Sequence, residues 1–193
     1  DLGADHWLPI TLGAPARLDD VEPAREIDLL ACLPETGITE GEVICRLAEA
    51  DLGALRELGS TTIADRIAHL GHPRGRDRAY DIVRNGTARV DEARAIGLSL
   101  DDAQLGTAKN GTYVPRTLRL DEHFWRVLGL YLAEGHVSAD GQRQRIFWSF
   151  HPTREQELID DIAGYWQALV VKHAVVQGTT AMHVSVSSRL LAA

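Results

Sequence analysis

The stretch "LGLYLAEGHVS", residues 128–138, decides the fold. It reads as the end of an apolar helix, with Glu134 in the last turn and Gly135 as the stop. A helix C-terminus carries partial negative charge, so a carboxylate there is disfavoured by about 0.3–1 kcal/mol. Gly129 and Ala133 are four residues apart on one helical face, and small residues at that spacing let two helix backbones approach closely. Such a helix packs against another helix with little side chain between them. If the partner is a copy or pseudo-copy, two Glu134 carboxylates arrive side by side, which is costly unless a cation sits between them. Oxygen ligands of this kind suit Mg²⁺, which binds through one or two carboxylates plus substrate phosphates. Metals shared in this way can activate water and stabilise the leaving oxygen in phosphodiester hydrolysis. The plainer reading is a surface glutamate at a frayed helix end.

Working outward, Asp121 is an N-cap for the helix "EHFWRVLGLYLAEG", with Leu120 and Trp125 at the positions of a hydrophobic staple. "RQRIFWSFH" alternates as a strand does, with Ile146, Trp148 and Phe150 on one face and Arg145, Phe147 and Ser149 on the other. "TREQELIDDIAGYWQAL" is helical, with Thr153 as its cap. "VVKHAVVQGTTAMHVSVSS" reads as a hairpin around Gly178, and "SRLLAA" begins a last helix. The order from residue 121 is α, β, β, α, β, β, α.

Residues 34–120 read as a mainly helical segment. In "TEGEVICRLAEADLGALREL" the apolar residues fall at helical spacing, and Thr39 with Glu42 forms a capping box. "STTIADRIAHLGHPRGRDRAYDIVRNG" reads as helix, turn, helix, with Ile63, Ile67 and Leu70 on the inner face of the first. Tyr80, Ile82 and Val83 lie on the second, and Gly86 caps it. Arg74, Arg76, Arg78 and Arg84 decorate the turn and second helix, as in a small helix-turn-helix DNA reader. Asp77 and Asp81 dilute that stripe, so a plain helical hairpin with a solvated charged face competes. Residues 1–33, with the strand-like "HWLPITL" and frequent prolines, read as a short β-rich remnant.

The chain has 193 residues, 45% of them hydrophobic and 25% charged, as in globular proteins. No apolar run is long enough to span a bilayer, and the N-terminus has no signal-peptide pattern. The missing initiator Met suggests a fragment or excised segment. Cys32 and Cys45 lack the spacing of a zinc site or a disulfide framework and suit a reducing cytoplasm. The net charge is −8, which by itself argues against a nucleic-acid partner. Residues 61–120, however, hold 10 basic and 7 acidic side chains, so a DNA-facing surface there is allowed.

"VLGLYLAEG", residues 127–135, resembles the LAGLIDADG, or dodecapeptide, motif of homing endonucleases, in the variant found in those nested in inteins. "RTLRLDEHFWRVLGLYLAEGHVS", "RIFWSFHPTREQELIDDI" and "VSSRLLA" resemble the segments that accompany the motif, in the same order. The resemblance implies an α+β αββαββα fold with a saddle-shaped antiparallel sheet on DNA, over residues 121–193. It implies a Mg²⁺-dependent, site-specific endonuclease for double-stranded DNA. Glu134 would be the catalytic, metal-binding carboxylate, and the Ala133 carbonyl would complete the ligation. Arg143, Arg145, Phe147, Ser149, His183 and Ser185 would read the major groove. Lys172 and Arg189 are the candidates for a basic residue near the metals. One dodecapeptide needs a partner, either a second repeat in the same chain or a homodimer. "SRLLAA" stops where the last helix should continue, which favours truncation of a two-motif protein and leaves the activity of this stretch alone open. "DLGADHWLPI" resembles the late strands of an intein splicing domain. With no N-terminal nucleophile, no Thr-x-x-His block and no terminal His-Asn, the chain is not expected to splice. The competing functions are a non-catalytic DNA-binding transcription regulator on the same fold and a helical accessory domain with no DNA role.

Overall fold

The computed structural model describes residues 25–71, 75–108, 110–141 and 143–193. Residues 1–24, on which most of the expected β-rich remnant falls, lie outside them. The described chain is a mixed α+β protein with antiparallel sheets.

The chain enters through strand β1 (Glu26–Asp28), which pairs antiparallel with β6 (Thr117–Arg119). Everything between them is a module looped out from this two-stranded ribbon. Arg116 closes its base: Nε donates to Asp28 Oδ1 at 3.1 Å, Nη2 to Asp28 Oδ2 at 2.7 Å and Nη1 to Asp101 Oδ1 at 3.2 Å. The guanidinium holds the Asp28 carboxyl below its usual range. Asp28 also accepts from the Leu30 amide, capping helix α1 (Leu29–Thr36). That helix crosses the boundary expected between residues 33 and 34.

Helices make up most of the module, but they pack on a four-stranded antiparallel sheet that the helical reading does not anticipate. "VICR", read as the inside of a helix, is strand β2 (Val43–Arg46), where β-branched Val43 and Ile44 fit the pleat better than a helical turn. The Thr39–Glu42 box exists but caps only a 3-10 turn, Glu40–Glu42. Strands β3 (Thr87–Arg89), β4 (Gln104–Thr107) and β5 (Val114–Pro115) join β2 in the order β3-β2-β4-β5. Helix α2 (Glu49–Ile67) is broken at Gly59, whose φ of 75° and ψ of 152° fall outside helical space. Helix α3 (Gly75–Asn85) ends on left-handed Gly86, and α4 (Val90–Ile96) follows β3. Ile63, Ile67 and Ile82 are buried as expected, but Tyr80 is 63% exposed and points away from the core.

The third segment follows the expected order: α5 (Glu122–Glu134), β7 (Gly135–Asp140), β8 (Arg143–Phe150), α6 (Gln156–Ala168), β9 (Ala174–Gln177), β10 (Met182–Val186) and α7 (Arg189–Ala192). Its sheet has the order β7-β8-β10-β9, antiparallel throughout. Asp121 caps α5 by accepting the Phe124 amide at 2.9 Å. Thr153 does not cap α6, which starts three residues later behind Glu155. The His151 ring instead accepts the amides of Thr153 and Arg154. Ile146, Trp148, Phe150, Val184 and Val186 are buried beneath the helices, with Val127, Ile159, Ile162, Trp166 and Leu190. Arg126 Nε donates to Asp161 Oδ2 at 2.6 Å and ties α5 to α6.

Candidate nucleic-acid interface

Alternation puts the polar set on one face. Across β8 and β10, Ser149 faces His183 and Phe147 faces Ser185; across β7 and β8, Phe147 faces His136, Arg145 faces Ser138 and Arg143 faces Asp140. Side chains opposite one another in a ladder share a face, so Arg143, Arg145, Phe147, Ser149, His183 and Ser185 are brought together. All are exposed or half-buried, in contrast to their buried neighbours in sequence. Two pairs are already engaged within this face. The His183 Nδ1 and Ser149 Oγ atoms are hydrogen-bonded at 3.0 Å. The His136 ring stacks on Phe147 with centroids 5.2 Å apart and planes 7° from parallel. His136 was not foreseen; the "GHVS" that follows the helix carries its place in β7, but only the register with β8 reveals the stack.

Glu134 is exposed at the end of α5, with no hydrogen bond or ion pair to any described residue. Gly135 ends the helix for a steric reason. Its φ of −96° is ordinary, but a Cβ there would fall 2.8 Å from Tyr131 Cα and closer still to the Tyr131 ring and carbonyl. Only glycine lets the chain turn back so tightly into β7, and that turn sets Glu134 at the rim of the open sheet face. The Ala133 and Glu134 carbonyls fall in the last helical turn, where intrahelical partners run out.

The Gly129–Ala133 face of α5 is uncovered. Gly129 has open space where its Cβ would be, and Trp125 (54%) and Leu132 (78%) are exposed beside it. The close helix contact expected there is therefore not made by the described part of this chain.

Neither basic candidate lies beside Glu134. Arg189 Nη1 donates to Glu42 Oε1 at 2.8 Å, and this bond, helped by the Thr39 amide and hydroxyl, pulls the Glu42 carboxyl down to about 2. Lys172 precedes β9, while Glu134 precedes β7. The two outer strands are three strand spacings apart, about 14 Å.

The expected arginine stripe also changes. Arg74 lies outside the described residues, and Arg76 is exposed. Arg78 is engaged within the chain: its Nε donates to Glu92 Oε1 at 2.7 Å and its Nη2 to Glu92 Oε2 at 2.5 Å. Glu92 is fully buried and also accepts the Arg89 amide at 2.8 Å, so it needs that guanidinium as a counter-charge. Arg66, Arg94, Arg116 and Arg119 are likewise engaged, with the Ile96 carbonyl, Glu40, Asp28 and Glu26. Much of the basic excess of residues 61–120 is thus paired within the chain, part-buried at Arg78 and Arg116 and exposed at Arg94 and Arg119. Of the two thiols, Cys32 is half-buried, while Cys45 is buried and pushed up to about 11 by that burial.

For Mg²⁺, one chain offers one carboxylate and nearby carbonyls. Among the described residues no group of three His, Cys, Asp or Glu side chains could hold a metal ion. The donor chemistry fits a site completed by a second carboxylate from outside the described residues and does not fit a site closed within them.

No family model matches the chain. A stretch of 123 residues is 32% identical to an uncharacterized protein of Methanocaldococcus jannaschii, covering 58% of this chain. The match takes in 14% of that protein, so the chain corresponds to a small part of its length.

Proposed function

We propose that the chain carries one repeat of a site-specific, Mg²⁺-dependent endonuclease for double-stranded DNA, of the intein-associated LAGLIDADG kind. One observation carries this reading: among the described residues, α5 brings a carboxylate with no partner to the rim of an uncovered antiparallel sheet face and leaves its own small-residue side open. The αββαββα order and the sheet order β7-β8-β10-β9 support it.

The proposed chemistry follows from those parts. Four strands span about 14 Å between outer axes, close to the ~12 Å width of the major groove. Arg143 and Arg145 present planar donor forks suited to guanine edges, and Ser185 a short donor-acceptor hydroxyl. A second α5, laid against Gly129 and Ala133, brings two Glu134 carboxylates together at the helix ends. Glu134 and the Ala133 carbonyl of each helix would hold Mg²⁺ there, and the ion would supply positive charge to activate water and offset charge on the scissile phosphate. Glu134 supplies ligand charge, and the sheet fixes the duplex over it.

The test is Glu134→Gln, which keeps shape and removes charge. Duplex binding measured in Ca²⁺ is expected to stay within about twofold, because phosphate contacts supply most affinity. Cleavage in Mg²⁺ is expected to fall by about a hundredfold or more. Parent-like cleavage by the variant refutes the metal-ligand role. Sequence-specific binding by a parent that never cleaves, even with a second repeat supplied, makes the transcription regulator the better account.

A further inference from the structure

One cleft at the edge of the sheet face has no role in the proposed catalysis. It encloses about 290 Å³ between the start of β8, the ends of β10 and the start of β9. Arg145, Lys172, His173, Ser185 and Ser187 line it from the sheet side. Asn110 and Thr112 line it from the loop that joins β4 to β5 in the other module. That loop is fastened in place, because Asn110 Nδ2 donates to the Gln144 carbonyl at 2.9 Å.

The chemistry of the lining is one-sided. Every ionisable side chain in it is basic, and the rest are hydroxyls, an amide and Ala174. Arg145 and Lys172 have no carboxylate partner among the described residues, although the protein is acidic overall and pairs many of its arginines. The His173 Nδ1 lies 3.0 Å from the Val171 carbonyl. An acceptor there makes Nδ1 the donor and leaves Nε2 for another partner. Cations and hydroxyls around a space at the low end of the ~300–1,000 Å³ range of ligand pockets suit a small oxyanion.

We infer that this cleft grips a backbone phosphate of bound duplex DNA through Lys172 and Ser187, beside the base-reading Arg145, with the β4–β5 loop as its outer wall. The inference rests on the proposed DNA-binding reading and deepens it. The residue 26–119 module then meets DNA through this loop, and Arg78 of the helix-turn-helix segment plays no part.

The experiment is a salt titration of the whole 193-residue chain on a labelled duplex, read by anisotropy, for the parent, Lys172→Gln and Lys172→Arg. Each phosphate contact contributes about 0.9 to the slope of log K against log[salt]. Lys172→Gln is expected to lower the slope by about 1 on every duplex sequence, and Lys172→Arg to restore it. A parent that binds with a steep slope unchanged in Lys172→Gln overturns the cleft and leaves the DNA reading intact. A parent that does not bind duplex overturns both. A parallel titration with inorganic phosphate alone separates the sources. If phosphate saturates the cleft, as seen by perturbation of His173 resonances, and duplex DNA does not displace it, the cleft is a free-anion site and the inference fails.

Discussion

Gly129 offers a test in which one substitution should do opposite things to two quantities. It lies inside α5, where glycine costs about 0.8–1 kcal/mol relative to good helix formers. A Cβ at this position would meet no atom of the described residues outside the local helix backbone within 4 Å, so there is room for a side chain to start outward. Gly129→Leu should therefore stabilise the isolated chain by about 0.8 kcal/mol, a rise in Tm of about 2–3 °C for a chain of this size. The same change puts four carbons into the open space beside the exposed Trp125 and Leu132. If a second α5 approaches there, its backbone is held off and the carboxylate ends separate. Association should weaken by at least tenfold, on the scale of about 1.4 kcal/mol for one overpacked contact. Thermal melts at micromolar concentration read the first effect, and sedimentation equilibrium reads the second. A lower Tm would mean that this face is already packed within the chain. A higher Tm with unchanged association would remove the helix seam and the shared metal site.

Two further outcomes follow from charge pairs. Arg78→Ala leaves the buried Glu92 carboxylate without its guanidinium, so urea unfolding should show a loss of about 3–5 kcal/mol while the salt slope of DNA binding stays the same; a flattened slope in folded protein would restore Arg78 as a phosphate contact. The Glu42 carboxyl is held at about 2 against an ordinary 4.5, so its pairing stabilises the fold above the unfolded value and is lost as pH falls from about 4.5 through about 2. Linkage would set that contribution at about 3 kcal/mol. Glu42 is 38% exposed, however, and solvent screening reduces it to about 1 kcal/mol. Arg189→Ala should remove the Arg189 share of it at pH 6 and cost less at pH 2, where the carboxyl is about half protonated, and equal losses at both would show that Arg189 acts by packing alone.

What could be read from the sequence was what short-range periodicity controls. The alternation in residues 143–150 located β8 and its two faces, and Asp121, Gly86 and Gly178 marked their boundaries correctly. "VICRLAEADL" failed because its apolar residues satisfy a helical and a strand spacing at once. The tie is broken by β3 and β4, which arrive from residues 87–89 and 104–107 to sandwich β2. The pairing of Arg78 was illegible for a related reason. A charge pattern along a helix does not say which charges have a buried partner, and Glu92, which takes Arg78, is 14 residues away in another helix. The Arg189–Glu42 pair spans 147 residues and had no local signal. The stack of His136 on Phe147 needed the β7–β8 register before either ring had a meaning.

The long-range pairs bear on function because of where the module attaches. Its two ends are adjacent strands, β1 and β6, so covalently it could swing on a ribbon about 5 Å wide. Three contacts prevent that. α7 packs against β4, Arg189 bridges to Glu42, and Asn110 reaches the Gln144 carbonyl. The first two are on the side of the last helix and the third is at the start of the inner strand β8, so they restrain rotation about different axes. The β4–β5 loop is consequently held beside Arg145 and Lys172 instead of sampling solvent. A rigid outer wall lowers the ordering cost of binding a phosphate there. It also makes the position of the module part of the shape of the interface: a duplex laid on the sheet meets this loop where β8 starts and β10 ends.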